Sequence, residues 1–269
     1  MKLSIITATY NRPEQLNAIA LPSLLDQTDY NFEWVVVNDG GNPEIREIVS
    51  HLKTNFSLKY VEIKHSSTGF GLCHARNAGL EAATGELISY LDDDNNLTPK
   101  FIATTSEFFR QYPTVKYCMT AQQRRRDVTK DGKIIRQGKT FLSPSHAECS
   151  LAELISQKEI FDSNGFTHYW KNAPKWNSNY RVFADYEYLL QCINVWGRQG
   201  FQINSIPLVN YIQSSEGIIG SSSYQEWAEE LSRLIENTNL SLIPNEVEKL
   251  HQLVSVYQEK CDSQLPAFI

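Results

Sequence analysis

The chain has 269 residues, enough for one large α/β domain with a substantial core. Its hydrophobic content of 41%, with 13 Gly and 10 Pro, excludes both a disordered and a fibrous architecture. A formal net charge of −6 argues against a general nucleic-acid binder, whose footprint is a basic surface, so any anionic ligand must be held locally.

Apolar runs alternate with helix-period segments over the first third: 3–9, 13–26, 32–37, 43–53, 58–63, 72–83 and 87–91. This is a βαβαβαβ pattern. Short, unalternating strands joined by helices imply a mostly parallel, twisted sheet with helices on both faces, and ligands of such sheets bind beyond the carboxyl ends of the strands. Thr9-Tyr10-Asn11, Asn38-Asp39-Gly40-Gly41 and Asp92-Asp93-Asp94-Asn95 lie there. After residue 95 the regularity stops. A helix over 99–112 precedes a strand over 115–119 and a basic hairpin around Asp131-Gly132. The tail over 224–260 reads as two helices broken near Pro244, with Glu229, Glu230 and Glu236 as acidic surface residues. The expected organisation is a single domain over 1–223, divided into a nucleotide-binding half (1–95) and an acceptor half with a lid loop (96–223), followed by a C-terminal helical extension over 224–269. The lid is expected at 214–223, whose small residues and two glycines offer little apolar area to offset the entropy of ordering.

The five cysteines are odd in number, widely spaced and without a C-x-x-C pair, which reads as reduced thiols in a cytoplasmic protein. No window approaches the ~18 uninterrupted apolar residues of a membrane span, so a soluble protein is expected, with at most peripheral membrane contact. Seven basic residues between Arg124 and Lys139 could meet an anionic acceptor or lipid headgroups, or form a plain solvated hairpin.

The chemistry concentrates where the strand over 87–91 runs into Asp92, Asp93 and Asp94. Three adjacent carboxylates repel, and a divalent metal is their natural partner; oxygen ligands favour Mg²⁺ or Mn²⁺. A solvated acidic turn before the next helix is the plain alternative. Asp39, on the same sheet edge, can accept a hydrogen bond from a base N–H or a ribose hydroxyl, or can close an Asx turn. Arg76 falls early in a helix, near the positive end that suits a diphosphate, though a surface ion pair is the simpler role.

Four blocks resemble, in order and spacing, the family 2 glycosyltransferases of GT-A fold: Ser4-Ile5-Ile6-Thr7-Ala8-Thr9-Tyr10-Asn11-Arg12, Val36-Val37-Asn38-Asp39-Gly40, Ala75-Arg76-Asn77-Ala78-Gly79-Leu80 with Thr84-Gly85-Glu86, and Leu91-Asp92-Asp93-Asp94-Asn95. The Asp-Asp-Asn ending is similar to that of the spore-coat polysaccharide transferase of that family. The resemblance implies a GT-A fold and an inverting transfer of a sugar from a nucleotide-sugar donor, with a UDP-sugar expected, to a hydroxyl of a saccharide or other acceptor. It implies donor contacts at Ala8, Tyr10, Asp39, Arg76, Asp92 and Asp93, and a divalent Mn²⁺ or Mg²⁺ on Asp94. Three consecutive aspartates allow two registers, so the split between Asp92 and Asp93 stays open.

The resemblance places the catalytic base at a late helix start, here Ala184-Asp185-Tyr186-Glu187. At ~100° per residue, Glu187 joins Gln191, Asn194 and Arg198 on a polar stripe while Asp185 falls near Leu189 on the inward side. Asp185 is therefore the expected base, in a first turn whose dipole favours an anion; a helix N-cap is its structural alternative. The loop after the last core strand lacks the histidine that some members place on the metal. His146 could approach the substrate but reads as a surface or packing residue, and the aromatic stretch from His168 to Trp176 reads as cleft lining, with stacking on a sugar ring as its alternative. A dinucleotide-dependent oxidoreductase is disfavoured because the turn after the first strand has no glycine. The serious alternative is a non-catalytic carbohydrate- or nucleotide-sugar-binding protein that retains the fold.

Overall fold

The computed structural model describes residues 1–262; the end of the expected extension, 263–269, lies outside them. In chain order the elements are β1 (Leu3–Thr9), α1 (Pro13–Gln15), a π-helical turn (Leu16–Ala20), α2 (Leu21–Leu25), β2 (Phe32–Asp39), α3 (Pro43–His51), β3 (Ser57–Ile63), α4 (Gly71–Ala82), β4 (Leu87–Tyr90), β5 (Asn96–Leu97), α5 (Phe101–Gln111), β6 (Tyr117–Lys130), β7 (Lys133–Arg136), β8 (Thr140–Ser143), α6 (Leu151–Ile155), β9 (Thr167–Tyr169), α7 (Ala184–Trp196), β10 (Phe201–Ser214), α8 (Ile218–Ser221), α9 (Tyr224–Glu236) and α10 (Pro244–Asp262).

The strands order as β3-β2-β1-β4-β9-β6-β10-β5. β1 pairs in parallel with both β2 and β4, and β2 with β3. The short β9 runs antiparallel to β4 and to β6, which carries the parallel sense across to β6 and β10. The expected mostly parallel sheet is therefore present, with an antiparallel insert.

Every residue of β2 is buried, as a strand covered on both faces requires. Alternation sends Val35 and Val37 to one core, and Trp34 and Val36 to the other. The first core is completed by α4, α7, α9 and α10, the second by α3 and α5. Gly79 sets the height of α4 above the sheet, since a Cβ there would come within 2.5 Å of Ile6 Cγ2.

Beneath the sheet edge, buried Glu33 accepts from Ser4 Oγ at 2.6 Å, Thr84 N at 2.5 Å, Thr84 Oγ1 at 2.6 Å and Lys2 Nζ at 2.9 Å. Burial alone would push this carboxyl up, but the hydrogen bonds from Ser4, Thr84 and Lys2 outweigh it and hold it at about 2. Thr84 thus anchors the turn into β4.

Two expectations need correction. The strand expected over 115–119 continues to Lys130, because β10 pairs with it in parallel to Asp127 and β8 flanks it antiparallel, so its polar residues find partners. Arg124 is buried over the Tyr211 ring, 3.8 Å from its centroid, and Arg125 is paired with Asp127. Glu230 is not a surface residue either: it is buried on α9, in the same core that packs α7 against α10.

Candidate active site

β1 lies between β2 and β4, so the loops after these strands converge at one sheet edge. Ala8, opposite Val37 in the ladder, is half-buried, and Tyr10 projects from the end of β1. The Tyr10 ring stacks on His65, with centroids 4.1 Å apart and planes at 20°. His65 Nδ1 is 2.8 Å from Asp39 Oδ2. Asp39 is buried, and its Oδ1 has no hydrogen-bond partner within the described residues. A buried acceptor of that kind is costly unless a ligand supplies a donor. Gly71 permits the arrangement, since a Cβ there would sit 2.8 Å from His65 Cε1 and 3.1 Å from Asp39 Oδ2. His65 was not foreseen; its signal was its place just beyond the carboxyl end of the third strand.

The three aspartates separate. Asp92 and Asp94 keep 28% and 29% of their side chains exposed, whereas Asp93 keeps 4%. Asp92 Oδ1 accepts from Arg76 Nη2 at 2.9 Å and Oδ2 from Asn164 Nδ2 at 2.8 Å. Asn164 returns the contact, accepting from the Asp92 backbone N–H at 2.7 Å. Asp93 and Asp94 share Arg12, at 2.9 Å and 2.7 Å. Burial, reinforced by the neighbouring aspartates, pushes both carboxyls up despite that guanidinium.

Arg76 lies inside the molecule, not at an outward-facing helix end. It is 2% exposed, its guanidinium 4.3 Å from the centroid of the Trp176 ring, which in turn stacks on Tyr188 at 3.9 Å. Nη1 donates to Asp185 Oδ1 at 2.6 Å while Nη2 holds Asp92. Burial disfavours its charge, but Asp185 and Asp92 more than compensate and raise its pKa. Buried as it is, it is not a surface ion pair: it ties the β4 loop to the start of α7. Trp176 accordingly packs the floor of the site.

Asp185 is the second residue of α7; the N-cap is Phe183, so the capping alternative does not apply. Its Oδ2 receives a long contact from Ser163 N at 3.4 Å, and 29% of the side chain is exposed. Glu187 does share a polar face with Gln191, and Asn194 is exposed further along it, but the Glu187 end of that stripe is covered. Glu187 is buried, accepting from Gln191 Nε2 at 2.9 Å and Asn177 Nδ2 at 3.3 Å, because the segment before α7 covers that side of the helix. Burial raises its pKa. Helical periodicity alone had no means of showing the covering segment.

Beside Asn164, buried Asp162 accepts from its Nδ2 at 2.9 Å, and burial pushes the Asp162 carboxyl up. His146 is exposed beside Glu153 and Glu159. The expected lid contains the short α8, and its beginning is pinned: Ser215 Oγ accepts from Thr129 N at 2.8 Å, and Glu216 accepts from the backbone N–H groups of Asp131 and Gly132 at 2.9 and 3.1 Å.

Among the described residues, no group of three or more His, Cys, Asp or Glu side chains is arranged to hold a metal ion unaided. The donor set nevertheless fits Mg²⁺ or Mn²⁺, which usually take one or two carboxylates and complete their shell with phosphates and water. Part-exposed Asp94 supplies one, beside buried Asp93, and a single guanidinium, Arg12, faces both carboxylates. No helix among the described residues is long and apolar enough to cross a membrane.

Known proteins share this fold. The structure of S. aureus TarS 1-349 in complex with UDP-GlcNAc superposes with a TM-score of 0.67 at 18% identity, covering 98% of this chain and 73% of that one. The mannosyltransferase PcManGT from Pyrobaculum calidifontis, in complex with GDP-Man and Mn²⁺, gives 0.61 at 15% identity, covering 97% and 73%. Both likenesses show the GT-A fold. In sequence, the chain is 39% identical over 106 residues to chondroitin synthase of Escherichia coli and 37% over 101 residues to hyaluronan synthase of Pasteurella multocida. Those segments are 39% and 37% of this chain, but only 15% and 10% of the two synthases. The model of the family described as "Glycosyl transferase family 2" matches residues 4–170, more than half of the sequence, and the chain belongs to that family.

Proposed function

We propose that the chain is an inverting, metal-assisted glycosyltransferase that moves a sugar from a nucleotide-sugar donor, a UDP-sugar foremost, to a hydroxyl of a saccharide acceptor. The observation that carries this reading is the shared cation: Arg76 holds Asp92, on the donor loop, and Asp185, at the start of α7, by opposite ends of one guanidinium. On this reading donor and acceptor chemistry stand one side chain apart. The UDP-GlcNAc bound by TarS and the GDP-Man and Mn²⁺ bound by PcManGT support the donor class and the metal.

In this reading Ala8 and Tyr10, with its partner His65, wall the nucleoside, and Asp39 Oδ1 accepts the N3–H of uracil. Asp92 takes the ribose contact and buried Asp93 stays behind it. Asp94 would hold the divalent cation, which when bound supplies charge neutralisation of the leaving diphosphate. Asp185 removes the acceptor hydroxyl's proton as its oxygen attacks the anomeric carbon, and Arg76 orients that carboxylate and Asp92 together. The five free thiols fit a reducing, cytoplasmic setting.

The test is a thermal-shift series with UDP, dTDP, GDP and CDP, each with and without Mn²⁺, followed by donor hydrolysis. A bound ligand stabilises by RT ln(1 + [L]/Kd). UDP should stabilise most and CDP least, because the N3 of cytosine is an acceptor and meets the Asp39 carboxylate. UDP-sugar binding without any hydrolysis or transfer would favour the non-catalytic binding protein instead.

A further inference from the structure

Arg12 stands at the mouth of the carboxylate cluster and belongs to neither the nucleoside wall nor the Arg76 bridge. Its Nη1 lies 2.9 Å from Asp93 Oδ1 and its Nη2 2.7 Å from Asp94 Oδ2. The burial of the three side chains is uneven: Arg12 keeps 42% exposed, Asp94 29% and Asp93 4%. The guanidinium thus reaches in from solvent to two carboxylates that burial and mutual repulsion would otherwise leave with excess negative charge. Arg76, the other guanidinium at the cluster, is committed to Asp92 and Asp185 and cannot take its place. Arg12 immediately follows the loop of Tyr10 and precedes α1.

We propose that Arg12 is the resident counter-cation of Asp93 and Asp94, and that it competes with the divalent metal for Asp94. This rests on the metal-assisted reading and adds a coupling to it. A bare cation has to displace a guanidinium already paired with its ligand and leave it beside a new positive charge. A cation arriving with a diphosphate gives the displaced guanidinium an anionic partner. Arg12 is therefore a positioning residue that makes metal affinity depend on the nucleotide, and keeps the carboxylates compensated between turnovers.

The experiment is Mn²⁺ binding by electron paramagnetic resonance to the full chain, with and without UDP, for wild type, Arg12→Gln, Arg12→Lys and Asp94→Ala. Without nucleotide, Arg12→Gln should bind Mn²⁺ more tightly than wild type, by on the order of five- to tenfold for two partly exposed ion pairs. Arg12→Lys should stay within about twofold of wild type, because the positive charge remains. UDP should tighten Mn²⁺ binding strongly in wild type and only weakly in Arg12→Gln. Equal or weaker Mn²⁺ binding by Arg12→Gln, while wild type binds and Asp94→Ala does not, overturns this proposal and leaves the metal-assisted reading standing. No Mn²⁺ binding to wild type even with UDP overturns both.

Discussion

Glu230 on α9 accepts from the backbone N–H of Phe183, the N-cap of α7, at 3.0 Å. The same carboxylate takes the N–H groups of Arg181 and Val182, both at 2.9 Å. The helix that delivers Asp185 is thus held at its start by the helices that follow the core.

Glu230→Ala leaves three N–H donors without their partner, at a cost of about 2–4 kcal/mol. The thermal midpoint should fall by several degrees, and transfer should fall further than UDP affinity, because the displaced element carries the proposed base and not the proposed donor pocket. A midpoint within one degree of wild type would show that water replaces Glu230 without loss.

Asp185→Asn keeps the shape and can still accept from Arg76, but cannot take up a proton. UDP binding should be unchanged and transfer should drop by at least ~10²-fold, the low end for a positioned base. Glu187→Gln, altering a buried carboxylate bonded to Gln191 and Asn177, should act on stability more than on turnover. The reverse pattern would move the base to Glu187.

Glu33 ties stability to pH. Its folded-state pKa of about 2 lies below the ordinary 4.5, so its stabilisation is complete above pH 4.5 and is lost as pH falls towards 2. In Glu33→Gln, stability at pH 7 should drop by on the order of 2 kcal/mol. Denaturant titrations of the two proteins should differ by a constant amount above pH 5 and converge below pH 4. A gap that persists unchanged to pH 2.5 would mean that the loss is steric.

The first ninety-five residues were legible because short unalternating strands and intervening helices leave little choice but a parallel sheet, and its edge names Tyr10, Asp39 and Asp92 by position. Legibility failed where burial comes from a distant segment. Glu187 and Glu230 sit at polar helical positions and look solvated until Asn177 and the N–H groups of 181–183 are brought to them. Arg124 and Arg125 looked like part of a charged hairpin until Tyr211 and Asp127 covered them. His65, Asn164 and Arg12 act through partners 26, 72 and 82 positions away in the chain, respectively Asp39, Asp92 and Asp94, and no local pattern marks such pairs.

β6 and β10 lie side by side from Tyr117 and Phe201 to Asp127 and Ser214, and their ends are clasped by Thr129–Ser215 and by Glu216 on the hairpin tip. Mechanically this pair is a beam, rooted in the core and braced at its far end, where Glu216 holds the Asp131-Gly132 turn. Ile134 and Ile135 stand exposed on this beam, and past the brace the chain runs on to Ser221, whose Oγ accepts from Arg181 Nη2 at 3.4 Å. Arg181 stands four residues before Asp185, so the braced end of the beam and the start of α7 are joined by side chains and not through the sheet.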